Sequence, residues 1–368
     1  MGARSVDVVV LGGGPAGSTA AATLARKSIS VLVVEAQKTI PFKVGESIPG
    51  IAGSVLARAG FHGVLGRVAQ LRCSGNRSSW GSSELRSRDG VLNPYGGGAH
   101  VDRVQFDQQL LGEAVSAGAR VWRGVSFHSA VRSQRGWSLF FRAGGAKQSL
   151  ECESVIDCTG RKAAFARAHG VERIVVDQQV ALVVALTRPD HFPDNDLTTT
   201  IESRPEGWWY TAQVPARRRV AVFFSDGNLL RQLRARSAEG VVHLMRSSTH
   251  IRKFLELGYN LIGEPEVVLA DTSHLACSAG YGWCAAGDAA VALDPLASAG
   301  IVDAIRSGRA AAELVLSGCK NAEDYSDSML KQANHNIKTR LAYYRMEARW
   351  PVEPFWAHRR SWPRVPVS

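Results

Sequence analysis

Val6-Asp7-Val8-Val9-Val10-Leu11-Gly12-Gly13-Gly14-Pro15-Ala16-Gly17, followed after an Ala-rich run by Val31-Leu32-Val33-Val34-Glu35, is the stretch that decides the fold. Val8–Leu11 is a short apolar run of the kind a buried parallel strand needs. Gly12, Gly14 and Gly17 fit Gly-x-Gly-x-x-Gly at a strand-to-helix turn. The first glycine permits the tight turn, the second lets a pyrophosphate approach the backbone, and the third lets helix pack on strand. Residues 16–26 are expected to form a helix whose free N–H groups and positive dipole end face phosphate. Glu35 closes the second strand, 18 residues after Gly17, where a carboxylate can accept from a ribose hydroxyl. The stretch therefore predicts a dinucleotide site with a free ribose 2′-OH, for FAD or NAD rather than NADP, and leaves those two open.

With 368 residues the chain can bury a core of one large domain or two interleaved ones. No apolar run approaches the length of a membrane span, and a strand that starts near the first residue argues against a signal peptide. Gly2 lacks the Ser or Thr that myristoylation expects at residue 6. A cytoplasmic protein without membrane contact is expected. The six cysteines form no Cys-x-x-Cys and have no histidine at zinc spacing, so reduced thiols and no metal site are expected. The net charge of +11 is spread along the chain and suits an acidic partner or anionic ligand. No basic–aromatic pattern of a nucleic-acid module occurs, so no nucleic-acid partner is expected.

Downstream, a Pro- and Gly-rich loop runs through Pro41–Phe42 to Pro49, and helical spacing covers residues 51–59. Residues 72–98 read as irregular. Asp102 is placed to cap a helix whose apolar face is Val104, Leu110, Leu111 and Val115. Residues 125–131, 137–142 and 148–151 read as a meander, and residues 155–160 as a separate apolar strand ending in Asp157 and Gly160. Residues 180–186, 198–202, 208–215 and 219–225 read as strands of a second, antiparallel sheet. Helices follow, then a return strand at 267–269. Gly287-Asp288 ends a further strand, residues 301–316 form an amphipathic helix, and a largely helical segment leads into a Pro-, Trp- and Arg-rich tail.

Asp157-x-x-Gly160 and Gly287-Asp288 choose between the two cofactors. In an FAD fold the late Asp lies beside the ribityl chain and pyrophosphate, and a helix starting near Gly300 aims its N-terminus at the flavin pyrimidine. An NAD dehydrogenase has no need for that segment, so FAD is expected.

On these residues the chain resembles a flavin-dependent monooxygenase of the halogenase-containing branch. Within it, the chain is most similar to flavoproteins that hydroxylate a peptidyl tryptophan during cysteine tryptophylquinone maturation. The resemblance rests on the glycine turn, Val44-Gly45-Glu46-Ser47 with Pro49, Gly75–Gly81, Asn93–Gly96 and Asp102-Arg103-x-x-Phe106-Asp107. It continues through Thr159–Arg161, Gly207–Tyr210, Gly287–Ala289, Asp294–Ile301, Arg349–Pro351 and Phe355-Trp356, so it spans nearly the whole chain.

The resemblance implies an α/β fold. A Rossmann-like FAD-binding domain of the glutathione reductase type is interleaved with an antiparallel-sheet substrate domain and followed by a C-terminal helical segment. Residues 1–75, 101–178 and 269–318 would form the FAD domain, 76–100 and 179–268 the substrate domain, and 319–368 the helical segment. The implied FAD contacts are Gly12, Gly14, Pro15, Ala16, Gly17, Glu35, Ala36, Val44, Gly45, Ser47, Arg103, Asp157, Gly160, Gly287, Asp288, Pro295, Ala299, Gly300 and Ile301. Glu46, Trp208 and Tyr210 are the implied catalytic residues. The implied reaction is hydroxylation of an aromatic, indole-type substrate through a flavin C4a-hydroperoxide, with electrons from NAD(P)H or a partner flavin reductase. The substrate would be a tryptophan of a precursor protein.

Halogenation is the first alternative, together with small-molecule hydroxylation; a non-catalytic flavin-binding partner is the second. Against halogenation, no lysine occurs between Lys43 and Lys147, Ala297 stands where tryptophan halogenases carry a Glu, and Trp208-Trp209-Tyr210 departs from their Trp-x-Trp pattern. Trp208, Trp209 and Tyr210 alternate on one strand, so they cannot all face one way.

Overall fold

The computed structural model describes residues 5–40, 43–90, 93–189 and 193–360, and of Ala297 only the backbone. Gly2, Pro41–Phe42, the end of the tail and the side chain of Ala297 lie outside the described residues.

The apolar strand Ser5–Leu11 sits at the centre of an eight-stranded sheet. It pairs in parallel with Val31–Glu35 on one side and with Ala146–Asp157 on the other. Arg120–Arg123 and Trp283–Ala285 extend the parallel core outward. Because the chain leaves Ser5–Leu11 toward one side and returns on the other, a crevice opens at the carboxyl ends of these strands, where such sheets bind ligands. The helices Pro15–Ala25 and Gly300–Leu316 pack together beside this crevice. Pro15 at the first helical position supplies the fixed φ that a helix start favours.

Two segments expected to be separate are one strand. Residues 146–157 run without interruption: the first half pairs antiparallel with Gly136–Ala143, the second half parallel with Ser5–Leu11. The meander and the parallel sheet are therefore continuous. Gly144 and Gly145, both at positive φ, make the turn that starts this strand.

The second sheet has seven strands, in the order Asn260–Leu269, Gln179–Thr187, Arg218–Asp226, Gly207–Val214, Thr198–Arg204, Gly75–Ser79 and Arg86–Asp89. The last two correct the irregular reading of residues 72–98. They are short and polar, and Arg86–Asp89 forms the sheet edge, so no hydrophobic alternation marks them. Period-two alternation divides the sheet into two faces. Leu182, Val184, Trp209 and Phe223 pack against the helices between residues 227 and 256. Ala181, Val183, Trp208 and Val222 face the other way, toward Tyr344, Phe355 and Trp356 of the C-terminal helices.

Asp102 caps the helix Arg103–Ser116 as expected, its carboxylate accepting from the N–H groups of Val104 and Gln105. The buried face of that helix is Phe106, Leu110, Leu111 and Ala114; Val115 points to solvent. No described helix is long and apolar enough to cross a membrane.

Candidate functional site: a dinucleotide cleft with an apolar wall

The crevice holds a cavity of about 670 Å³. One end is built by Gly12–Gly17, Glu35 and Ala36, and the middle by Gly160, Gly287 and Asp288. At the far end stand Val44, Gly45, Ser47 and Arg103 across from Pro295 and Ala299–Ile301. All the expected FAD contacts except Asp157 line it.

The phosphate end has the features a dinucleotide needs. Gly12 has φ +106°, and a Cβ there would sit 2.2 Å from the Cys158 carbonyl oxygen. At Gly14, by contrast, a Cβ would meet nothing within 4 Å, so the backbone stands open to the cavity. Gly14 starts the helix without a side-chain cap, which leaves its first-turn N–H groups for an anion. Glu35 is fixed below them: one carboxylate oxygen accepts from Gly13 N–H at 2.8 Å and the other from Gln37 N–H at 2.9 Å. Its remaining lone pairs suit a ribose hydroxyl. The helix Gly300–Leu316 also starts uncapped by any side chain, at the other end of the same cavity. Two helix N-termini and an acid fit the pyrophosphate, the ribose and the pyrimidine ring of FAD, on which negative charge gathers when the flavin is reduced.

Residues 7–182 match the profile of the family described as FAD dependent oxidoreductase. Over nearly its full length the chain is also similar to LodB of Marinomonas mediterranea, named as an FAD-dependent oxidoreductase. The two are 27% identical over 364 residues, covering 97% of this chain and 98% of LodB. Among solved structures, the myxobacterial chondrochloren halogenase CndH shares the fold at a TM-score of 0.85 and 19% identity, covering 99% of this chain and 87% of that one. The peptidyl tryptophan dihydroxylase QhpG, described as essential for tryptophylquinone cofactor biogenesis, shares it at a TM-score of 0.79 and 21% identity, covering 98% and 80%. The chain thus has the α/β fold of FAD-dependent oxidoreductases with halogenase-like structural neighbours.

Asp157 must be reassigned. One carboxylate oxygen accepts from the N–H and hydroxyl of Thr159, and the other from the N–H groups of Phe165 and Ala166. The side chain is buried and away from the cavity lining, where it caps the helix Ala164–Ala168. It shapes the Cys158–Gly160 turn that lines the cleft, but does not face the cleft itself. Arg161 and Lys162, which follow that turn, do line it and were not foreseen. Arg103 lines the cavity and clamps the Val44–Gly45 loop, donating to the Val44 carbonyl at 2.7 Å and pairing with the buried Asp107.

The three expected catalytic residues part company. Tyr210 lines the cavity, on a wall that includes Ala181, Val222, Phe224, Val268 and Leu293. Its hydroxyl is buried with no hydrogen-bond partner, and burial, with the nearby Glu46 charge adding to it, pushes the phenol well above its ordinary range. Trp208 points to the same face two residues earlier but is absent from the lining. Its ring stacks on Phe224 and its indole N–H donates to the Tyr344 hydroxyl at 3.0 Å. Trp80 and the C-terminal helices cover it, so it is core. Trp209 faces the opposite side, as alternation requires.

Glu46 lies behind the lining formed by Gly45 and Ser47, 2% exposed. Oε2 accepts from Gly45 N–H at 3.1 Å; Oε1 is buried without a partner. Burial raises its carboxyl to about 7, against the pull of backbone hydrogen bonds and Arg103. His100 was also overlooked. It is buried, accepts or donates at Thr199 Oγ1 (3.0 Å), and is held neutral by burial and by Arg219, its pKa lowered to about 4. Ser47 reaches the same threonine at 3.4 Å.

The raised Glu46 pKa makes a prediction. The folded chain keeps this proton up to about pH 7, whereas an unperturbed Glu releases it near 4.5. The folded state thus binds the extra proton between these values, so the site's contribution to stability falls as pH rises from 4.5 to 7 and is level above. Glu46→Gln removes that fall, and stabilises the protein at pH 8 relative to pH 4.5 by about 3 kcal/mol more than wild type. Denaturant unfolding at the two pH values reads this directly; an equal effect at both would contradict it.

Proposed function

We propose that the chain is an FAD-dependent monooxygenase that hydroxylates an indole-type ring, the side chain of a tryptophan in a partner protein. Its electrons come from NAD(P)H or a separate flavin reductase. The observation that carries the reading is the wall opposite the phosphate end: apolar, with a phenol, and without a lysine. The two lysines in the lining are both elsewhere. Lys43 is bound to Asp107 at 3.0 Å beside the flavin loop, and Lys162 is exposed next to the Gly160 turn. The strand Gly75–Ser79 supplies no ammonium, and Arg77 within it is paired with Asp196. A halogenase of this branch needs a lysine in that part of the chain. The likeness to LodB is compatible with this reading, as is the shared fold with QhpG.

Bound FAD, once reduced, supplies the electrons that activate O2. What the chain contributes is position and dryness. Gly12–Gly17, Glu35 and the Gly300 helix would hold the cofactor, and Arg103 fixes the Val44–Gly45 loop beside it. Ala181, Val222 and Phe224 exclude water around the ring to be oxidised. The Tyr210 hydroxyl, close to Ser47, remains protonated and can donate to a polar atom of the substrate. Glu46 carries its proton below about pH 7, so the loop behind the ring is then neutral.

The test is a tryptophan-bearing precursor or peptide incubated with the flavin-loaded protein, a reductant, O2 and bromide. The expected product has gained oxygen and no bromine. Brominated product would overturn the assignment, and an unchanged mass would count against the tryptophan substrate.

A further inference from the structure

The sheet that walls the cavity ends in an open apolar edge. Strand Asn260–Leu269 pairs with Gln179–Thr187, and among the described residues no strand pairs with its other side. Natural sheets usually blunt such an edge with charge, proline or a bulge. Here the register is irregular between Val183 and Ala185, opposite the segment that contains Pro265. The last four residues, Glu266–Leu269, then run in regular register against Val180–Val183. Val267, Val268 and Leu269 are all exposed, Leu269 by 66%. Val268 and Leu269 also line the cavity, so this edge forms part of its mouth.

Beside Leu269 lies a second hollow of about 570 Å³. Arg161, Arg167 and Arg173 line it, with the exposed Val175. Arg173 is spent on Ser273 and on the carbonyls of Asp288 and Ala289, and Arg161 on Asp271 and the Leu293 carbonyl. The Arg167 side chain is exposed and, among the described residues, makes no hydrogen bond or ion pair. Asp177, also in this lining, is matched to Arg340, so the acids left to the three arginines are Glu172, Asp271 and Asp288, the last 3.8 Å from Arg161.

We propose that this edge receives an extended segment of a partner protein as an added β-strand, with acidic residues at the end that reaches Arg167. This rests on the reading that the oxidised ring is carried by a protein. Main-chain pairing along Glu266–Leu269 gives affinity in such strand addition, and alternate side chains give specificity. Val268 sits opposite Ala181, on the sheet face shared with Tyr210. A side chain of the added strand on that face turns toward the cavity. A second copy fits the edge poorly. Antiparallel self-pairing would join two chains that each carry a net charge of +11.

Hydrogen-exchange mass spectrometry of the flavin-loaded protein tests this. The probes are two synthetic peptides with a tryptophan inside a Val/Thr run, one ending in aspartates and the other in lysines. The aspartate peptide is expected to slow exchange within residues 264–269 and to bind about tenfold more tightly than the lysine peptide. Val267→Lys and Arg167→Glu, both outside the cavity lining, should each weaken it by about tenfold while flavin content is unchanged. No slowing with either peptide, or full binding by both variants, would overturn the proposal. So would a dimer that Val267→Lys returns to monomer, which assigns the edge to a second copy. The outcomes separate from those of the proposed reaction. Edge protection without oxygenation removes the reaction and keeps the docking site; oxygenation equal in wild type and both variants does the reverse.

Discussion

Gly17→Ala is expected to strip the protein of its flavin. A Cβ at this position would lie 1.9 Å from the Gly12 carbonyl oxygen and 3.2 Å from a methyl of Val10. The obstacle is backbone, so no side chain can swing aside. Either the helix Pro15–Ala25 lifts from the sheet, or the Gly12–Gly14 turn opens; both displace the first-turn N–H groups that face the phosphates. Overpacking of about 3 kcal/mol, expressed in the cofactor-binding state, lowers flavin affinity about a hundredfold. Flavin absorbance of the purified variant and a titration of its apo form measure this. Unchanged affinity would mean that the glycine turn does not hold the cofactor.

Arg340→Met is expected to have the largest effect on stability. Arg340 is buried between Asp177 and Asp294 and donates to both, at 2.9 Å to Asp294. Tyr344 donates to Asp294 as well, and Arg359 Nε approaches Asp177 only to 4.0 Å. Removing the central guanidinium leaves two buried carboxylates short of a counter-charge, a loss of about 3–5 kcal/mol. By contrast Arg306→Ala, which breaks an exposed pair with Asp303 at 3.5 Å, should cost less than about 1 kcal/mol. Asp294 also lines the cavity, so the Arg340 variant should lose flavin affinity together with stability. Denaturant unfolding of the two variants side by side separates the cases; similar small losses would show that the cluster is not a keystone between the C-terminal helix and the cleft.

Much of the cofactor end can be read from the sequence because it is local. Strand, glycine turn, helix and Glu35 occur within one supersecondary unit, and backbone geometry dictates the residue types. The substrate end is assembled from distant segments, and there local pattern misleads. Trp208 and Tyr210 share a face by alternation, yet Trp80 and the helices Ala322–Met346 and Pro354–Arg360 cover the first and leave the second. No short-range signal records that cover. Asp157 has the position of a ligand-facing acid, but four donors of the following turn and helix engage it first. The strand 146–157 looked like two because Glu153 and Ser154 interrupt its apolar pattern where its partner changes from antiparallel to parallel. His100 sits in a three-residue strand, too short to carry a period.

Oxygen insertion is the central claim, and the isotopic origin of the product oxygen tests it most directly. A tryptophan-bearing partner segment is treated with the reduced, flavin-loaded protein under isotopically heavy dioxygen in ordinary water, with bromide present. Mass spectrometry of the tryptophan should show heavy oxygen on the ring and no bromine. Product oxygen drawn from water, a brominated ring, or loss of hydrogen without any added oxygen would contradict it.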